Sequence, residues 1–207
     1  MDKPSFIRVM SSQKGMNKMA HKNAKKIIFT RQEMFEFNKK TLLKRGITIE
    51  SIAEITFQQQ SKYTDDISRA ICLESVEKIL SLRDVFHHVQ LAAEIDRLAE
   101  EGLFHGPIQD IIYEDLGLFG IDETMGLDVA GLYGTIGQTN FGDIDVNKRG
   151  IVKRLNDAGK EDGICHTFMD DIVGALAAAA STRVAQVMNE DLAHEDFGVK
   201  RFSIFDL

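Results

Sequence analysis

Apolar residues recur every three or four positions along much of the chain, which is the period of an amphipathic α-helix. The segments with this pattern before residue 102 cover residues 31–45, 48–60, 68–82 and 84–101. Gly46 and Gly102 provide helix stops, and a further short helix is expected after Pro107, whose fixed φ suits a first turn. The sequence has no convincing alternation of apolar and polar residues, so it predicts no β-strands. We therefore predict an all-α fold.

One segment is built from small and apolar residues on every side. Residues 168–181 read FMDDIVGALAAAAS, and neither of the two prolines of the chain lies after Pro107. A helix that is apolar all round is typical of a protein interior, although the high helix propensity of alanine is a rival explanation. We predict a single-domain helical bundle around this Ala/Gly-rich helix, which is buried from Ile172 to about Val187.

Composition limits the architecture and the location of the protein. A chain of 207 residues with 43% hydrophobic residues can form one domain, and no apolar run approaches the ~18 residues of a membrane-spanning helix. The N-terminus lacks the apolar stretch of a secretory signal, and Cys72 and Cys165 have no metal-ligand spacing. We expect a soluble cytoplasmic protein with its helical domain at residues 31–190 and a C-terminal tail at residues 191–207.

Charge is distributed unevenly along the chain. Residues 1–31 contain eight Lys or Arg and a single acid, and the remainder contains 17 basic and 31 acidic residues. Residues 1–30 are predicted to form a basic, flexible tail, which either contacts anionic lipid at the inner face of the membrane or is a solvated leader. The acidic remainder is a poor partner for nucleic acid, because phosphate contacts need clustered Lys and Arg. A homo-oligomer is compatible with the sequence.

A pattern of two adjacent acids, two further residues and a glycine occurs twice. Residues 122–126 read DETMG and residues 170–174 read DDIVG. At ~100° per helical residue, each glycine lies near the face of the first acid of its motif, so two such helices can pack closely. Converging carboxylates repel unless a cation lies between them, and Mg²⁺ prefers oxygen ligands. The pattern predicts a shared Mg²⁺ site; alternatively, the acids only stabilise the first turns of their helices.

Three blocks of the C-terminal half carry a family resemblance. GIDETMG, FGDIDVNKRGIVKRLND and FMDDIVGALAAAA resemble, in this order, the conserved blocks of the phosphatidylglycerophosphatase A family, and most of all its soluble branch that includes the low-temperature requirement C proteins. The resemblance covers residues 115–183. It implies a Mg²⁺-dependent phosphatase that removes the terminal phosphate of phosphatidylglycerol phosphate. The early Gly-Thr-x-Gly-Ser element and the Lys-Pro of the membrane branch are missing, and Lys148-Arg149 stands in place of the latter.

The resemblance and the chemistry of phosphate-ester hydrolysis indicate the same site residues. The expected catalytic and Mg²⁺-binding acids are Asp122, Glu123, Asp170 and Asp171. Lys148 is expected to contact the phosphate, because a fixed basic side chain stabilises the charge on a transferred phosphate. Asp145, three residues before Lys148, is expected to help bind the phospholipid substrate and, together with Asp115, to support the site from behind.

Two other functions remain open at this point. All-helical NTP pyrophosphohydrolases also build a Mg²⁺ site from acids on facing helices, but their acids recur as Glu-x-x-Glu or Glu-x-x-x-Asp rather than as adjacent pairs. A non-catalytic adaptor would use its acids only as helix caps and its basic tail to reach membranes. The glycines of GLYGTIG are expected to be close-packing positions, since no strand precedes them as a nucleotide-binding motif requires. His166 is expected at the surface, at the start of the last long helix.

Overall fold

A computed structural model describes residues 29–117, 119–158 and 163–197. Within these ranges the chain forms nine α-helices and no β-strand, which confirms the all-α prediction. The helices are α1 (Arg31–Lys44), α2 (Ile49–Gln60), α3 (Arg69–Leu80), α4 (Arg83–Glu100), α5 (Ile108–Tyr113), α6 (Ile121–Gly131), α7 (Gly134–Asn147), α8 (Gly150–Ala158) and α9 (Met169–Phe197). Residues 1–28 of the predicted basic tail and residues 198–207 of the predicted C-terminal tail lie outside the described ranges.

Local signals place several of the helix ends. Gly46 ends α1 in the left-handed conformation, with φ +71°, where a residue with a Cβ would be strained. Thr48 Oγ1 accepts a hydrogen bond from Ser51 N at 3.2 Å, and Ser51 Oγ accepts one from Thr48 N at 3.2 Å, so the two residues form a capping box at the start of α2. Ser68 caps α3 through a single hydrogen bond, which its Oγ accepts from Ile71 N at 3.3 Å. These boundaries lie within one or two residues of the predicted ones.

Helix α9 is the centre of the bundle, as predicted. It packs against α2, α3, α4, α6, α7 and α8. Residues 165–182 are all buried, and exposed positions begin only at Gln186. The helix is longer than the predicted segment, since it starts at Met169 and continues to Phe197. Small side chains let neighbouring helices approach α9 from every direction, which explains the alanine-rich composition by burial.

The glycines of the two acidic motifs leave space for one aromatic ring between them. A Cβ built on Gly126 of α6 would lie 2.6 Å from Phe141 Cζ, and one built on Gly174 of α9 would lie 3.5 Å from Phe141 Cε2. Phe141 belongs to α7, so its ring fills the space between the two acidic motifs. One turn before Phe141 on the same helix, a Cβ on Gly137 would lie 2.2 Å from the carbonyl oxygen of Ala130. Gly137 is therefore a close-packing position between α6 and α7, as expected, but Gly134 is not one, because a Cβ there would meet nothing within 4 Å; its φ of +73° explains the glycine instead.

Buried polar side chains join α9 to α2 and α7. Gln60 Nε2 donates to Ser181 O and Ser181 Oγ at 2.8 Å each. Asn140 accepts a hydrogen bond from Gln59 Nε2 at 3.2 Å and donates to Thr182 Oγ1 at 3.1 Å. Such pairing fixes the register of α9, because sliding the helix would leave these buried groups without partners. None of the described helices combines the length and the apolar character needed to cross a membrane.

Candidate metal centre

The two acidic motifs meet at the starts of α6 and α9. Asp122 and Glu123 lie in the first turn of α6, and Asp171 lies in the first turn of α9. One carboxylate oxygen from each of the three lies within 4.8 Å of the other two. The Phe119 ring, just before α6, packs edge-on against the Phe168 ring, just before α9, with 5.9 Å between centroids. We call Asp122, Glu123 and Asp171 the acidic cluster; both motifs contribute to it.

The acidic cluster holds carboxylate oxygens that the described part of the chain leaves without hydrogen-bond partners. Asp122 Oδ1 and Glu123 Oε2 are both buried and both unpartnered there. Asp122 and Asp171 are each only 4% exposed. A buried, unpaired carboxylate oxygen is costly, so these atoms form a set of acceptors to which a cation would be the natural complement. On chemistry and geometry alone, this cluster could hold a metal ion with oxygen preference.

The protonation of the cluster reflects its burial. Burial, followed by the neighbouring Glu123, raises the pKa of Asp122, while backbone amides at the start of α6 oppose the rise. Burial and then the charge of Asp170 raise the pKa of Asp171. The pKa of Glu123 is lowered, chiefly by the neighbouring Asp122 carboxyl group, which is the member of the pair that favours a proton. One member is thus held ionised while its neighbours favour a proton, as expected where like charges converge with no cation between them.

Asp170 takes a different place from its neighbour in sequence. Its Oδ2 atom accepts a hydrogen bond from Lys148 Nζ at 2.8 Å, and Asp145 Oδ1 lies 3.1 Å from the same Nζ. Burial opposes the charged form of Lys148, yet the carboxylates of Asp170, Asp171 and Asp145 raise its pKa. The lysine side chain remains 28% exposed. The structure therefore brings three of the four predicted ligands together and places the fourth on the predicted phosphate-contacting lysine.

The outer predicted residue, Asp115, lies on the loop before α6. It is exposed and has a left-handed backbone, with φ +46°, which is rare for a residue other than glycine. Its charge contributes to the raised pKa of Asp170, after burial and against the opposing effect of Lys148. Asp115 is thus close enough to act electrostatically on Asp170.

Sequence reasoning missed one residue of this region, Asp96 of α4. Asp96 is fully buried, and its Oδ1 and Oδ2 atoms accept hydrogen bonds from Phe168 N and Met169 N, both at 3.0 Å. Burial raises its pKa to about 7 against the lowering effect of these two amides. The available signal was its place in the sequence: Asp96 falls on the same helical stripe as Val89 and Ala92, which form the buried face of α4.

The expectation that His166 lies at the surface is wrong. His166 is 9% exposed, and the connection before α9 is drawn into the bundle because Thr167 Oγ1 donates to Ile112 O at 2.6 Å. Burial, followed by the charge of Arg45, lowers the pKa of His166 to about 4. Burial likewise raises the pKa of the Cys165 thiol to about 11. At neutral pH the Cys165 thiol is therefore protonated and is not a thiolate nucleophile, and His166 is a neutral imidazole of low basicity.

The chain is similar in sequence and in structure to members of a known protein family. The family model described as "Phosphatidylglycerophosphatase A" matches residues 46–186. The uncharacterized protein YpjQ of Bacillus subtilis is 44% identical over 168 residues, which cover 81% of this chain and 93% of YpjQ. The crystal structure of YpjQ superimposes with a TM-score of 0.73 at 43% identity, covering 79% of this chain and 99% of that chain. The low temperature requirement C protein of Listeria monocytogenes gives a TM-score of 0.72 at 40% identity, covering 75% and 97%.

Proposed function

The chain belongs to the phosphatidylglycerophosphatase A family, and from this premise we propose that it is a Mg²⁺-dependent phosphatase that removes the terminal phosphate of phosphatidylglycerol phosphate to give phosphatidylglycerol. The single observation that carries the proposal is the acidic cluster beside a lysine held by two carboxylates. Phosphate monoester hydrolysis needs charge neutralisation, a positioned water and a fixed cationic side chain, and these residue types supply all three requirements.

The residues present fit a divalent cation of the Mg²⁺ type. Asp122, Glu123 and Asp171 would hold it, because they offer oxygen donors from two helices within one small volume. The buried, unpartnered Asp122 Oδ1 and Glu123 Oε2 atoms support this fit. When bound, the ion would neutralise charge on the phosphate oxygens and lower the pKa of a coordinated water.

Lys148 is the proposed phosphate-binding group of the chain. It keeps its positive charge because Asp170 and Asp145 face its Nζ at 2.8 and 3.1 Å, and its partial exposure leaves the ammonium accessible to a phosphate oxygen. An ammonium fixed by two carboxylates needs little rearrangement when the reaction begins, which is the requirement for electrostatic stabilisation of a transition state. Asp170 therefore acts through Lys148 in this proposal rather than as a direct metal ligand.

Capping alone accounts poorly for the acidic pairs. Asp96 takes two amides at the start of α9, Phe168 N and Met169 N, and a third, Asp171 N, donates to Asp170 Oδ1, while the Asp171 carboxylate lies with Asp122 and Glu123. On α6, two buried carboxylate oxygens remain without partners among the described residues, which a purely capping role would not produce. These observations favour the enzyme over the non-catalytic adaptor.

The test is phosphate release from a panel of phospholipid, nucleotide and sugar phosphates, with Mg²⁺ and with EDTA. Asp122→Asn should abolish Mg²⁺-dependent release from phosphatidylglycerol phosphate in mixed micelles, while Asp128→Asn should not. The two substitutions are matched, since both remove one carboxylate from α6, but the Asp128 side chain is 73% exposed and pairs with His88 outside the cluster.

The panel also separates the rival functions. Pyrophosphate release from nucleoside triphosphates, with no turnover of the phospholipid, would replace the proposal with an NTP pyrophosphohydrolase. Equal activity of the wild-type chain and Asp122→Asn would contradict the assignment of the acidic cluster. Absence of turnover on every phosphate ester, together with unchanged thermal stability on adding Mg²⁺, would favour the adaptor.

A further inference from the structure

A buried carboxylate that the proposed chemistry does not use lies at the start of α9. Asp96 comes from the C-terminal half of α4, 72 and 73 residues before the two amides that it binds. Both of its oxygens are engaged, and the side chain is inaccessible to solvent. Such a carboxylate cannot reach a substrate, so its effect on the site must pass through the groups that it holds.

The amides at the start of α9 can be accounted for one by one. Phe168 N and Met169 N donate to Asp96, Asp170 N donates to His166 O at 3.0 Å, and Asp171 N donates to Asp170 Oδ1 at 3.0 Å. The residue directly before the helix, Phe168, has no polar side chain to cap it, and the hydroxyl of the preceding Thr167 is bound to Ile112 O. The cap of α9 is therefore supplied by another helix.

This arrangement has a direct effect on the acidic cluster. The first turn of any helix attracts carboxylates to its free amides, and Asp170 and Asp171 lie in the first turn of α9. Because Asp96 occupies the first two amides, the Asp171 carboxylate can face Asp122 and Glu123 instead of folding back on its own helix. The same contact joins α9 to α4 directly before the site residues, which sets the axial position of Asp170 relative to Lys148.

We propose that Asp96 is a positioning residue, which fixes the start of α9 and thereby the places of Asp170 and Asp171 for binding of the cation and the phosphate. The inference rests on the proposed function in so far as the acidic cluster binds a cation. It adds a requirement that the family resemblance does not contain, because Asp96 lies outside the three blocks that carry the resemblance.

The experiment compares Asp96→Asn, Asp96→Ala and the control Glu94→Gln with the wild-type chain. Glu94 is also an acid of α4, but it is half-exposed and pairs with Arg97 at the surface. Mn²⁺ is the probe, with its affinity measured by electron paramagnetic resonance, and hydrogen–deuterium exchange reports on residues 165–175. Turnover of a short-chain phosphate monoester provides kcat and KM.

Asp96→Asn keeps the shape and one acceptor, so it should fold, expose the start of α9 to faster exchange, and weaken Mn²⁺ binding by about tenfold or more. Asp96→Ala keeps no acceptor and should have a larger effect on each measurement. The loss of turnover should appear in kcat as well as in KM, since Lys148 and the cluster would be misaligned even at saturating substrate. Glu94→Gln should match the wild-type chain in all three measurements.

A folded Asp96→Asn variant with unchanged Mn²⁺ affinity and unchanged kcat would overturn the inference, whatever reaction the protein catalyses. If the wild-type chain released no phosphate but Asp96→Asn still weakened Mn²⁺ binding, the proposed function would fail and the inference would stand. If Asp96→Asn did not fold, the substitution would be repeated with the stabilising Gly142→Ala change. Unfolding in that background too would show that Asp96 supports the whole bundle, and would also overturn the inference.

Discussion

Replacing Gly137 by alanine is expected to separate two helices of the site. An added Cβ would lie 2.2 Å from the carbonyl oxygen of Ala130, whereas an ordinary contact needs about 3.4 Å. The obstacle is a backbone atom in the last turn of α6, so no side-chain rotation can remove it. Helices α6 and α7 must therefore move apart by about 1 Å, and overpacking of this kind costs ~1–3 kcal/mol.

Gly142→Ala is the matched control for this prediction. Gly142 lies five residues later on the same helix, and a Cβ there would meet nothing within 4 Å. Both substitutions gain up to ~1 kcal/mol of helix propensity, so Gly142→Ala should be stabilising. Gly137→Ala should be net destabilising by ~1–2 kcal/mol, which lowers the melting temperature by roughly 2–8 °C for a domain of this size.

The assay is urea denaturation followed by circular dichroism, with EDTA present so that metal binding does not contribute. Gly137→Ala should also lower turnover more than its stability loss explains, because α6 carries Asp122 and α7 ends next to Lys148. The reasoning is refuted if Gly137→Ala is as stable as Gly142→Ala and fully active. That result would mean that the two helices separate at no cost and that their spacing does not matter to the site.

Further predictions concern charge, metal and the membrane. In EDTA the free energy of unfolding should fall as pH rises above ~4, because the raised pKa of Asp171 makes the folded state bind this proton more tightly than the unfolded state does. Urea titrations at several pH values measure this slope, and Asp171→Asn should flatten it. Mg²⁺ at ~100 times its Kd should stabilise the wild-type chain by about 2.7 kcal/mol in thermal melts, and Glu123→Gln should lose this effect. Lys148→Met should raise KM and lower kcat for phosphate release, and retention of wild-type kinetics would exclude phosphate contact by Lys148. Deletion of residues 1–28 should weaken turnover on anionic vesicles at low salt and leave turnover of a short-chain analogue unchanged. High salt should have the same two effects on the intact chain.

The sequence by itself determined the fold class and the position of the central helix. Short-range physics controls both properties: apolar spacing, caps such as Thr48 and stops such as Gly46 act within a few residues. The alanine-rich segment around α9 was recognisable because burial on every side leaves no polar stripe. The repeated acidic motif was also visible in the sequence, because its two acids and its glycine lie within about one helical turn.

Only the tertiary structure showed which group each site residue contacts. Asp170 and Asp171 are adjacent and chemically identical, yet they diverge because successive helical residues point about 100° apart, one toward Lys148 and the other toward α6. Asp96 is the clearest case, because its partners at the start of α9 lie more than seventy residues away. Pairings at such distances depend on how whole helices pack, and a local pattern of residues does not record which helices will meet.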